Sequence, residues 1–189
     1  MQFFIEVLVG GLLSGVMYAL VALGFVLIYK ASGVFNFAQG AMVFFAALTF
    51  VGFQEVLPGW LGMAADSSIV FWLAFLLAFL AMIVLGVATE RIVLRPLVNQ
   101  PHITLFMATI GLTYVIEGIA QMTWGATVRG LDLGIVDEPI AWLMDNYEIG
   151  ISKFDLFAAG VAASLVALLA LLFQYTKVGR ALRAVADDH

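Results

Sequence analysis

The sequence predicts an all-α fold, a bundle of transmembrane helices, and its composition and long apolar stretches carry that prediction. Hydrophobic residues make up 64% of the 189 residues, and the mean hydropathy is +1.10. Charged residues account for only 11%, whereas an ordinary soluble domain has roughly 25%. Because so few polar residues cannot cover a soluble core of this size, we expect the chain to lie in a lipid bilayer.

Five apolar stretches are long enough to cross the hydrocarbon core, which requires about 20 residues in a helix. They cover residues 7–29, 38–57, 69–88, 103–124 and 155–175. The first is longer than the apolar segment of a secretory signal, about 7 to 15 residues, and no basic residue precedes it. We therefore expect it to be retained as a span. Five spans place the two termini on opposite sides of the membrane.

Lys and Arg residues set the expected orientation, because they mark the cytoplasmic flanks of the spans. Six of the eight fall on one side of the five-span arrangement. These are Lys30, Arg91, Arg95, Lys177, Arg180 and Arg183. Arg129 and Lys153 fall on the other side, together with most of the acidic residues. We therefore predict an external N-terminus and a cytoplasmic C-terminus.

The connection over residues 125–154 is too long to be a simple link between two helices. Its Pro139, Trp142 and Tyr147 suit a short interfacial helix with turns, and a poorly ordered loop is the alternative. On the predicted orientation it is external, so it is the surface expected to meet an external partner.

Small residues recur in the first span, where Gly10, Gly11, Ser14 and Gly15 follow one another closely. Small residues four apart allow another helix to approach the backbone. We therefore expect the first span to be packed in a bundle.

Two polar residues lie within the fourth span, Glu117 and Gln121, one helical turn apart. A charged side chain at the bilayer centre costs about 3 kcal/mol on insertion scales, so it is expected to face a cavity or a partner rather than lipid. One interpretation is a polar stripe that lines a translocation path. The other is a glutamate whose hydrogen bonds are satisfied by a neighbouring helix.

Asn36 and Gln39 stand between the first two spans, with Gly33 and Gly40 on either side. Irregular backbone at membrane depth persists where protein or water satisfies it, and transporter binding sites favour such interruptions. The two residues are therefore candidates for a broken, pathway-lining element. The alternative is local: Asn36 is the N-cap of the second helix, and Gln39 satisfies its first turn.

The sequence lacks the residues that several classes of function require. The sequence has no cysteine, and its two histidines, His102 and His189, have no metal-ligand spacing. It contains neither a Gly-rich phosphate loop nor a Gly-x-Ser-x-Gly elbow. Its cytoplasmic basic residues are scattered, unlike a nucleic-acid footprint. We expect no enzymatic activity, no cofactor, no metal and no nucleic-acid partner.

The predicted cytoplasmic tail places Arg180 and Arg183 on one helical face. Such a segment can lie in the membrane interface or dock against a cytoplasmic protein. The alternative is the ordinary basic flank of a span.

Motifs in a fixed order link the chain to a known family. They are GLLSGVMYALVALGF at residues 11–25, GVFNFAQG at 33–40, ERIVLRPL at 90–97, TIGL at 109–112 and GRALRAVA at 179–186. In this order and spacing the chain resembles the N-terminal two thirds of the permease subunits of branched-chain amino-acid ABC importers. The resemblance covers nearly all of the chain and rests on the motifs together.

The resemblance implies a multi-pass subunit of the bacterial cytoplasmic (inner) membrane that forms part of the translocation pathway. Its implied partners are a second permease subunit, two cytoplasmic ATPase subunits and an external substrate-binding protein. Asn36 and Gln39 match the family's loop after the first span and, with Glu117 and Gln121, are candidates for the pathway. The family's ATPase-coupling segment begins in this chain's tail. Its candidate residues are Gly179, Arg180, Arg183 and Asp187.

The chain departs from the family pattern in two ways. Family members continue well beyond His189, so we expect residues 1–189 to form a single permease domain that stops within the coupling loop, as a fragment or a split product. Glu117 stands where an uncharged residue such as Gln is expected, which leaves a urea or short-amide cargo open. A secondary carrier or channel is the alternative from another class, and there Glu117→Gln would abolish a pH-dependent flux.

Overall fold

The described residues of the computed structural model form five long α-helices, which confirms the all-α prediction. It describes residues 2–32, 35–62, 64, 67–97, 100–130, 138–141, 144 and 150–175. The helices are α1 (Gln2–Ser32), α2 (Gln39–Leu61), α3 (Ser68–Ala88), α4 (His102–Trp124) and α5 (Lys153–Tyr175). Each contains a stretch long and apolar enough to cross a membrane. The predicted orientation of the termini stays a prediction.

Helices α1 and α2 are longer than the apolar stretches that predicted them. The first span was predicted over residues 7–29, but α1 runs from Gln2 to Ser32. Glu6 interrupts the apolar stretch without ending the helix, which also contains Phe3, Phe4 and Ile5. Helix α2 includes Pro58 in its last turn, where the missing N–H removes the bond to the Gln54 carbonyl and only three helical residues follow. The helix ends at Gly62, whose φ of 63° is readily adopted by glycine and whose N–H donates to the Pro58 carbonyl.

The connection after α3 begins as helix rather than as loop. A π-helical segment, Thr89–Leu94, and a 3-10 turn, Arg95–Leu97, follow α3 directly. The sequence predicted only a polar connection over residues 89–102. The end of the apolar stretch at Ala88 therefore marks a change in helix type, which hydropathy does not report.

The chain divides into two compact units, and the first consists of Met1–Gly33 and Leu133–His189. In its described part, α1 packs against α5. The Gly150 N–H, just before α5, donates to Glu6 Oε1 near the start of α1 at 3.3 Å. The two helices therefore begin at the same end of the unit and run parallel, as the first and fifth spans of an alternating chain must.

The small residues of α1 do not mark a close helix contact within the described residues. A Cβ atom built at Gly10, Gly11 or Gly15 would lie within 4 Å of no neighbouring atom. Close backbone approach at this stretch therefore remains a prediction.

The loop before α5 contains short ordered pieces. Pro139 and Ser152 form an isolated antiparallel bridge, and the Met144 N–H donates to the Ile140 carbonyl at 3.0 Å. This bond is one turn of the expected short helix, although Trp142 and Tyr147 lie outside the described residues. Lys153 and Glu138 form an exposed ion pair at 3.9 Å.

The second unit, Val34–Asp132, places α2 between α3 and α4. Ala38 and Ala41 of the α2 start pack with Leu112 and Ile116 of α4 in a buried cluster. Further along, Thr49 of α2 contacts the end of α4. Residues later in α2 thus contact residues later in α4, so the two helices run parallel.

Helix α3 runs antiparallel to α2. The Phe50 ring of α2 meets Phe71, near the start of α3, with ring centroids 5.5 Å apart. Leu85, near the end of α3, packs instead against the cluster at the start of α2. Within this unit the helix directions alternate, as the predicted succession of spans requires.

Candidate functional site

A buried polar turn precedes α2 and contains both Asn36 and Gln39. The Asn36 side chain is only 3% exposed, and its Oδ1 accepts the Ala38 N–H at 3.1 Å. Its carbonyl accepts the Gln39 N–H at 3.2 Å. Asn36 therefore closes a tight turn on its own backbone, an arrangement in which asparagine side chains are common.

The prediction that Asn36 is the N-cap of α2 is wrong. The N-cap position is Ala38, which provides no side-chain hydrogen bond to the helix. Phe37 and Ala38 form a turn between Asn36 and the helix, so the Asn36 oxygen reaches the Ala38 N–H instead of the N–H groups of the first helical turn. Asn36 stabilises the approach to the helix rather than the helix end itself.

The turn is docked on α4. The Phe37 ring meets Phe106 of α4 edge-on, with centroids 4.8 Å apart. Gln39, the first residue of α2, is buried, and Asn36 Nδ2 lies 3.8 Å from Met42 Sδ. The structure thus brings both predicted polar residues together at one end of the α2–α4 pair, and their pathway-lining role stays a prediction.

Replacing Asn36 by alanine is expected to lower the free energy of unfolding by about 1 to 3 kcal/mol, because the buried Ala38 N–H loses its acceptor. Asn36→Ser retains a shorter acceptor and should restore part of the loss. Thermal unfolding of the detergent-solubilised chain measures the difference. Gln121→Ala, at an exposed position of α4, is the control and should change stability by less than about 0.5 kcal/mol.

At the other end of the pair, Trp124 fastens α4 to α2. Its indole Nε1 donates to the Thr49 hydroxyl at 3.2 Å, and Thr49 is only 2% exposed. The Phe53 ring contacts the indole edge-on, with centroids 5.2 Å apart. The indole lies directly over Gly52. A side chain at this glycine would occupy the space of the indole ring.

The chain leaves α4 through a turn that returns to α2. Gly125, with φ of 85°, ends the helix, and its N–H donates to the Gln121 carbonyl at 2.9 Å. Four residues later, Arg129 donates to the Trp124 carbonyl and forms an ion pair with Glu55 of α2. The Arg129 side chain is 21% exposed and that of Glu55 is 53% exposed. Arg129 therefore ties this segment to the end of α4 through a backbone carbonyl and to α2 through a carboxylate.

The returning segment and α2 line a half-open cavity of about 370 Å³. Its α2 wall is apolar and consists of Phe44, Ala47, Leu48 and Val51. The remaining lining consists of Gln121 and the residues of the returning segment. These are Gly125, Ala126, Thr127, Val128 and Arg129. The volume is near the lower end of the roughly 300–1,000 Å³ typical of small-molecule sites.

The predicted site residues are separated by the structure. Gln121 lines the cavity, whereas Glu117, one turn earlier on α4, is half-buried and is not part of the lining. The turn at Asn36 and Gln39 lies at the opposite end of the helix pair. The predicted coupling residues lie outside the described residues. These are Gly179, Arg180, Arg183 and Asp187.

Sequence reasoning assigned Glu55 and Arg129 only to the external side. Their pairing was missed because 74 residues separate them in the chain. The available signal was that Glu55 lies at the end of the second apolar stretch and Arg129 just after the fourth, on the same predicted side. Among the described residues there is also no group of three His, Cys, Asp or Glu side chains that could hold a metal ion.

Five long apolar helices with buried polar residues at their contacts define the class, a multi-pass α-helical membrane protein. The family model for the permease component of branched-chain amino acid transport systems matches residues 7–189. The chain therefore belongs to this permease family, which confirms the resemblance of its motifs.

Curated relatives include the high-affinity branched-chain amino acid transport system permease protein LivH of Salmonella typhimurium, 25% identical, and LivH of Escherichia coli K12, 24% identical. The permease protein BraD of Pseudomonas aeruginosa is 23% identical. Each alignment covers 98% of this chain and 60% of the relative. The chain thus spans about three fifths of the length of these relatives. No solved structure matches it significantly.

Proposed function

We propose that this chain forms part of the translocation pathway in a permease subunit of an ATP-driven importer for branched-chain or related hydrophobic amino acids. The family match over residues 7–189 carries the proposal. The names of the LivH and BraD relatives support the substrate class. Because the chain spans 60% of their length, the activity of the whole protein is part of the proposal.

The proposed assembly places this chain in the bacterial inner membrane with several partners. They are a second permease subunit, two cytoplasmic ATPase subunits and an external substrate-binding protein. The ATPases hydrolyse ATP, and this chain contributes no catalytic residue. Its five apolar helices are what such a subunit needs to cross the bilayer.

The α2–α4 pair is the proposed pathway element. Together with the turn before α2, which holds Asn36, the pair contains the polar candidates Gln39, Glu117 and Gln121. Polar side chains within membrane helices are costly, and they commonly mark the route of a substrate or an ion. The partial burial of Glu117 and the position of Gln121 in a cavity wall support a route along this pair.

The test is affinity purification of the tagged chain from its native membrane, followed by mass spectrometry. We expect a nucleotide-binding ATPase and a second permease to be recovered with it. A tagged multi-pass carrier unrelated to this family, expressed at the same level, provides the background. If the chain is inserted and intact but neither partner is enriched above that background, the importer proposal is wrong.

A further inference from the structure

The cavity at the end of α4 combines one apolar wall with one cationic group. Its α2 wall runs from Phe44 to Val51, a length of about 10 Å along the helix. Arg129 is also part of the lining. A ligand bound here can therefore pack an apolar group against α2 while its anionic group reaches the guanidinium.

Glu55 adds the opposite charge beside the cavity. It lies one turn beyond Val51 on the same face of α2 and is paired with Arg129. Since its side chain is 53% exposed, its carboxylate remains accessible to a further partner. The Arg129 guanidinium has five N–H groups. Among the contacts of the described residues, its bonds to Glu55 and Trp124 leave some of these N–H groups for a ligand.

An ion pair at the edge of an apolar cavity is complementary to a zwitterion. A ligand carboxylate would accept N–H bonds from Arg129, and a ligand ammonium would donate to Glu55. A net-neutral charged pair favours a molecule that carries both charges over one that carries a single charge. The volume of about 370 Å³ restricts the ligand to a small molecule.

We infer that this cavity is a binding site for a free amino acid with an apolar side chain. Arg129 binds its carboxylate, Glu55 binds its ammonium group, and the apolar wall of α2 receives its side chain. The inference rests on the proposed function and adds a site on the permease chain itself. On the predicted orientation the cavity faces the side from which the substrate arrives.

The test measures binding of radiolabelled L-leucine to the purified, detergent-solubilised chain by equilibrium dialysis. Leucinol, which lacks the carboxylate, and 4-methylpentanoate, which lacks the ammonium group, are the competitors. Arg129→Gln should weaken leucine binding by about tenfold or more and leave competition by leucinol unchanged. Glu55→Gln should weaken leucine binding and leave competition by 4-methylpentanoate unchanged.

The exposed pair of Lys153 and Glu138 provides a matched control. Lys153→Gln and Glu138→Gln remove the same charges from the first unit and should leave leucine binding unchanged. Because Arg129→Gln also removes a bond to the Trp124 carbonyl, Ala47→Leu offers a second variant that narrows the cavity without touching the ion pair. It should weaken leucine binding, whereas Ala167→Leu, at an exposed site on α5, should not.

Three results would overturn the site. The first is an absence of leucine binding to the unaltered chain, which is expected if a lipid chain fills the cavity. The second is an equal effect of the control and test variants. The third is full leucine binding by Ala47→Leu. Mass spectrometry of the sample excludes a co-purified binding protein as the source of binding. Recovery of the ATPase does not depend on this cavity, so failure of the site and failure of the importer proposal are separate outcomes.

Discussion

Gly52→Ala is expected to destabilise the second unit by about 1 to 3 kcal/mol, the usual range for overpacking. The new Cβ would lie 2.1 Å from a ring atom of Trp124. The indole cannot easily move away, because Thr49 and Phe53 hold it on two sides. Alanine favours the helix by about 1 kcal/mol relative to glycine. The measured loss in the free energy of unfolding is therefore the cost of overpacking minus this gain. Gly52→Val should have a larger effect.

Thermal unfolding in detergent measures this effect, with Gly59→Ala as the control on the same helix. A Cβ at Gly59 would meet no atom within 4 Å, so that variant should be neutral or slightly more stable. In a Trp124→Leu background Gly52→Ala should cost less stability than in the unaltered chain, because the smaller side chain vacates the space. Equal stability of Gly52→Ala and Gly59→Ala would contradict the close contact.

Reversing the charges of Arg180 and Arg183 to glutamate is expected to reduce recovery of the ATPase with the tagged chain to background. The proposed function places both residues at the start of the ATPase-coupling segment. If the ATPase surface is complementary to them, two reversed charges replace attraction by repulsion at the interface. Membrane insertion should survive, because Lys30, Arg91 and Arg95 remain on the predicted cytoplasmic side.

Affinity purification with immunodetection of the ATPase measures the loss. Lys153→Glu reverses a charge on the opposite predicted side and should leave recovery unchanged. Neutral Arg180→Gln with Arg183→Gln should give an intermediate recovery, which separates loss of attraction from repulsion. Full recovery of the ATPase with both arginines reversed would refute their role in coupling.

The sequence by itself determined the number of helices, their approximate bounds and the family. These follow from local properties, since an apolar stretch of about 20 residues defines a span whatever it packs against. Where bounds differed, as at Gln2–Ser32, the helix extended beyond the predicted apolar stretch at both ends. The motifs at residues 11–25 and 33–40 identified the family without any contact being known.

Only the tertiary structure decided which residues meet. Trp124 contacts Thr49 across 75 residues of sequence, and Arg129 contacts Glu55 across 74. Neither pair leaves a periodic signal, because each contact depends on the relative height of α2 and α4, which the packing of the two helices sets. Asn36 shows the same limit at short range, since its type predicted a helix cap but the turn over Phe37 and Ala38 redirected its side-chain oxygen.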